Sequence, residues 1–151
     1  MDTTKRQPEF LTSLITEELL GSKYARLRFP FVYYSRCLGR KLIVPTGFIC
    51  DYESVPLLKA SSKRAGVLHD YVCRTDSDPV LTKALAAELY NEAQALRDKL
   101  FYDARPYLRF NRARRFFRAI LRGVKTSTVR IVPGYFHKHA VTATLEEISR
   151  G

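Results

Sequence analysis

RKLIVPTGFICDYESVP, residues 40–56, begins as an apolar strand and ends on two carboxylates, a serine and a proline. Pro45-Thr46-Gly47 interrupts the run, as proline does at strand edges and breaks. Asp51 and Glu53 would share a face if the strand continued, but Ser54 and Pro56 mark its end. Asp and Ser side chains bind backbone amides in turns, and proline suits the first turn of a helix. SSKRAGVLHDYVCR, residues 61–74, is then helical in pattern, with Ala65, Leu68 and Val72 on one face behind serines able to cap it. The change of period decides the fold class: strands before, helices after. It predicts α+β, a small antiparallel sheet from the N-terminal half packed by three or so helices from the C-terminal half.

The segments on either side agree. KYARLRFPFVYYSR, residues 23–36, reads as a strand broken or confined to an edge by Pro30. It joins the next strand through a hairpin at RCLGRK, where Gly39 supplies the turn. PEFLTSLITEELL, residues 8–20, spaces Leu11, Leu14, Ile15 and Leu19 as a short amphipathic helix. SDPVLTKALAAELYNEAQALRDKL, residues 77–100, is the clearest helix. Asp78 and Pro79 stand as cap and first turn, and Leu81, Leu85, Leu89, Ala93, Leu96 and Leu100 form an apolar stripe. RPYLRFNRARRFFRAILRGVK, residues 105–125, predicts a further helix with Phe116, Phe117, Ile120, Leu121 and Val124 toward a core and its arginines on the other side. Gly123 suits its end. The tail holds one short strand and a turn at Pro133-Gly134. The chain reads as a single domain, 1–151, with 1–20 as an N-terminal arm and 126–151 as a C-terminal extension.

Composition supports one packed core. The 151 residues are 46% hydrophobic and 12% aromatic, and a chain of this length buries about 70% of its unfolded surface. No apolar run approaches the roughly 18 residues of a membrane span, and the first ten residues lack the apolar region of a signal peptide. Cys37, Cys50 and Cys73 are odd in number and lack metal or redox spacing, so they read as reduced thiols. The net charge is +11. It is unevenly placed: from Arg105 to Lys138 there are ten Arg or Lys residues and no Asp or Glu. Such a half attracts polyanions: nucleic acid, anionic membrane or an acidic protein surface.

A strand-turn-helix return would bring Asp51, Ser54, His69 and Asp70 together. Carboxylates beside an imidazole suit two chemistries: Asp51, His69 and Asp70 can hold a divalent metal that activates water, or His69, oriented by an Asp, can act as general base with Ser54 positioning. The structural alternative is a hydrogen-bonded junction, with Asp51 capping the loop and Asp70 forming a surface pair with Arg74 four residues on. Cys50 or Cys73 with His69 is a third arrangement, although Cys50 lies in an apolar run that favours an inert thiol. His137 and His139 sit in the basic tail as a remote second cluster. H-E-x-x-H, G-x-S-x-G, P-loop and G-x-G-x-x-G patterns are all absent from the sequence.

Pro45, Gly47, Phe48, Asp51, Ser54, Pro56, His69, Asp70 and Tyr71 together resemble a family of small phage and prophage proteins of unassigned function. Its pattern is Gly-Phe, then Asp-x-x-Ser-x-Pro, then a helix carrying His-Asp-Tyr, and the likeness covers roughly residues 24–95. It implies a phage-type origin, with the host cytoplasm or the virion as location. Where that family tends to carry Ala-Asp on the following helix, this chain reads ALAAELY: Ala87 stands in the acidic position and Glu88 one step along.

Arg112, Arg115, Arg118 and Arg122 recur at three- and four-residue steps as a stripe. It is read as the docking surface for an acidic protein of phage or host, with phosphate binding along nucleic acid as the alternative. Three functions follow. The first expectation is a non-catalytic virion, tail-associated or host-interaction protein. The second is a hydrolase-like enzyme, metal-dependent or His/Asp-based. The third is non-specific nucleic-acid binding.

Overall fold

A computed structural model describes residues 6–52, 63–105, 116–124 and 139–150. Its element order is β1 (Glu9–Phe10), β2 (Thr16–Glu18), β3 (Ala25–Leu27), β4 (Phe31–Ser35), β5 (Arg40–Val44), β6 (Ile49–Cys50), α1 (Lys63–Val72), α2 (Lys83–Asp103), α3 (116–124) and α4 (Leu145–Ser149). The fold is α+β, with strands in the N-terminal half and helices in the C-terminal half.

The strands form two antiparallel three-stranded sheets, ordered β1-β4-β5 and β2-β3-β6. β4 and β5 make the expected hairpin, from Phe31 opposite Val44 to Ser35 opposite Arg40. Gly39 takes the positive φ of 66° that its turn requires. Period-two alternation puts Phe31, Tyr33 and Ser35 of β4 inside, with Leu42 and Val44 of β5. Pro30 falls between β3 and β4, which belong to different sheets.

Residues 8–20 are not a helix. They supply β1, which pairs with β4, and β2, which pairs with β3. Thr12 shows why an extended course wins: its hydroxyl donates to Pro30 O at 3.1 Å and accepts from Val32 N–H at 2.8 Å, tying the segment to the edge of β4.

One apolar cluster joins both sheets to α1 and α2. It includes Leu27, Phe31, Tyr33, Leu42, Val44, Phe48, Leu68, Val72, Leu89 and Tyr90. α1 buries the predicted Ala65, Leu68 and Val72. α2 begins later than the Asp78-Pro79 reading. Thr82 is its cap, accepting from Leu85 N–H at 3.3 Å, while Asp78 gives its amide to the Tyr71 hydroxyl at 3.1 Å and its carboxylate to Arg40. The buried face of α2 is Ala86, Ala87, Leu89, Tyr90, Ala93 and Gln94. Leu85 and Leu100 of the predicted stripe are exposed, because small residues let α1 and the sheet approach along a neighbouring line.

α3 is rolled opposite to expectation. Phe116, Phe117, Ile120 and Val124 are exposed, while Arg118 and Arg122 point to Asp98 of α2. α4 begins with a capping box between Thr144 and Glu147 and buries Ile148. The tail is held near α1 by His139 O, which accepts from Thr75 N–H at 2.9 Å, and by Asp76, which accepts from Val141 N–H. The expected tail turn at Pro133-Gly134 lies outside the described residues.

Candidate functional site

The end of β6 packs against α1. Cys50 pairs with Ala25 of β3, and this fixes where β6 stops. The next residue, Asp51, donates its backbone N–H to Asp70 Oδ2 at 3.1 Å. Just past the end of α1, four residues beyond Asp70, Arg74 donates from Nη2 to Ile49 O at 2.8 Å. Between them Tyr52 turns with φ at +64°, a left-handed conformation that a bulky residue adopts only when its surroundings hold it. Its carbonyl comes so close to α1 that a Cβ on Gly66 would lie 1.7 Å from the oxygen. Only glycine lets the helix approach this bend. The Tyr52 hydroxyl shares a 2.6 Å hydrogen bond with Thr16 of β2, which secures the bend from the far side.

The electrostatics of the junction favour neutral groups. Burial, then the Asp51 carboxylate beside it, pushes Asp70 well above the usual carboxylate range, and the Arg74 guanidinium pulls the other way only in part. A neutral Asp70 can accept the Asp51 amide with one oxygen and donate its proton to the Asp51 carboxylate with the other. Lys23 Nζ stands 3.5 Å from Asp51 Oδ2 and supplies the cation for that charge. Burial also pushes His69 down to about 4, with a smaller opposing pull from Asp51. The imidazole is therefore neutral at physiological pH. It meets the Tyr90 ring edge-on at 5.6 Å and lies 3.4 Å, at Nε2, from Cys73 Sγ. Burial raises the Cys73 thiol to about 12, so the Cys73–His69 pair holds a thiol, not a thiolate nucleophile. Cys50 is buried and raised further, as its apolar run suggested.

Asp51, His69 and Asp70 thus come together. Ser54 lies outside the described residues, as do Arg112 and Arg115 of the basic stripe and His137. Arg118 and Arg122 are described, and both sit at Asp98 with Arg97: 3.3 Å, 3.9 Å and 3.1 Å, respectively. Ala87 is fully buried against the core, and Glu88 is exposed. Among the described residues no three His, Cys, Asp or Glu side chains are grouped to hold a metal ion.

Two groups were missed in the sequence. Arg74 was read as a surface partner for Asp70, yet it is buried, lies 5.1 Å over the Phe48 ring, and binds β6. Its position four residues after Asp70 was the available signal. Glu92 carried no signal at all. Its carboxylate accepts from Tyr33 Oη at 2.9 Å, Ser35 Oγ at 2.9 Å, Arg36 N–H at 3.2 Å and Cys37 N–H at 2.9 Å, clamping the β4–β5 turn to α2.

No curated protein and no solved structure matches the chain. A family model described as a protein of unknown function, DUF1353, matches residues 25–136. That span runs from the first residue of β3 past the end of α3, and it contains the whole β6–α1 junction. It takes in 112 of the 151 residues (25 through 136), and on that match the chain belongs to the DUF1353 family of proteins of unknown function.

Proposed function

We propose that this is a phage- or prophage-type protein without catalytic activity, acting in the virion, its tail or the host cytoplasm. In this reading the Asp51–His69–Asp70 group locks a strand to a helix, and the basic C-terminal segment that includes Arg112, Arg115, Arg118 and Arg122 docks on an acidic phage or host component. One observation carries the lock: Asp70 Oδ2 accepts the Asp51 amide at 3.1 Å, and burial raises the Asp70 carboxyl well above the usual carboxylate range. A metal ligand works as a charged carboxylate, and burial disfavours that form here while Oδ2 is engaged by the backbone. The neighbouring imidazole, neutral and packed on Tyr90, fits the same role.

The side-by-side carboxyl groups, with Asp70 raised by burial, keep a hydrolase-like reading alive as the rival, because acid/base pairs are built from carboxyls in unlike environments. Asp70→Asn separates the two. Asn reproduces the neutral acid, with an oxygen to accept the amide and an NH2 to donate to Asp51. The lock therefore predicts a urea midpoint close to wild type for Asp70→Asn at pH 7. For Asp70→Ala it predicts a loss of about 2 kcal/mol, because a buried amide is left unpaired. The proposal fails if zinc or manganese raises the melting temperature of the wild type by several degrees and Asp70→Asn abolishes that response.

A further inference from the structure

We draw no further inference here: the strongest candidate, the exposed apolar face of α3 formed by Phe116, Phe117 and Ile120, carries none, because Arg105, Arg118 and Arg122 beside it are engaged with Phe101 and Asp98 and nothing in the structure shows what covers it.

Discussion

His69 and Asp70 are neighbours in sequence, and burial drives both toward neutrality, yet their effects on stability run in opposite directions with pH. The His69 pKa falls from 6.5 to about 4 on folding. The unfolded chain then takes up its proton first, so the stability associated with His69 is complete above about pH 6.5 and is lost as pH falls toward 4. The drop of about 2.5 pKa units corresponds to about 3 kcal/mol across that window. Asp70 is shifted upward, so its contribution is complete below about pH 4, the ordinary carboxylate range, and is lost as pH rises through the raised value. In Asp70→Asn, which removes the opposing carboxyl titration, urea midpoints from pH 4 to pH 7 are expected to show an acid limb that a further His69→Gln flattens. A limb of unchanged steepness in that variant assigns the loss to other groups. The approach of Asp51 to Asp70 could be read in advance, because a strand end, a short turn and a helix leave few ways back. The state of these groups could not. Neutrality follows from desolvation, and desolvation depends on Tyr90 and the sheet beneath, which arrive from distant parts of the chain.

Elements were legible where one periodicity dominated and illegible where two competed. The β4–β5 hairpin and the buried stripe of α1 followed directly from alternation and helical spacing. Residues 8–20 satisfied a helical template, but the edges of β4 and β3 offered unpaired backbone groups, and pairing with them gives more than an isolated thirteen-residue helix can. α2 buries Leu89 and Ala93 as its stripe predicted, with Leu96 packed against the core, but it buries Ala86 and Ala87 where Leu85 was expected, because close packing rewards small residues where a neighbouring helix approaches. Its Glu92 faces the sheet for a reason only the fold supplies: β4 and the turn after it present two hydroxyls and two amides to this one carboxylate. A carboxylate that satisfies four donors is costly to remove. Glu92→Ala leaves those donors without their charged acceptor and is expected to lower stability by about 2–3 kcal/mol, the scale of hydrogen bonds to a half-buried charged group. Chemical denaturation measures the loss. A change under about 1 kcal/mol, the usual range for an exposed site, means that water replaces the carboxylate at the turn.

For the molecule as a whole, the uneven charge was visible in the composition, but the direction in which it points was not. Hydropathy places arginines outside and phenylalanines inside a helix. α3 reverses this because one carboxylate on a larger helix, Asp98, gathers Arg97, Arg118 and Arg122, and the Phe101 ring stacks beneath Arg118. Among the described residues the apolar core is built from the sheets, α1 and α2, with nothing from α3. The helix is thus attached by ion pairs and cation–π contacts at side chains 28–32% exposed, where each pair contributes of order 1 kcal/mol or less. Segments attached in this way open independently of the core. Hydrogen exchange should then find the amides of residues 117–124 less protected than those of α1 and α2 by several orders of magnitude. Asp98→Ala should speed exchange in 117–124 by about tenfold, the effect of losing roughly 1.4 kcal/mol of local attachment, and leave α1 unaffected. High salt should act in the same direction on the wild type and have little further effect on the variant, because screening removes what the substitution has already taken. Equal protection of α3 and α1, or a variant that slows both together, would place α3 inside the cooperative core and require apolar contacts that its outward phenylalanines do not make.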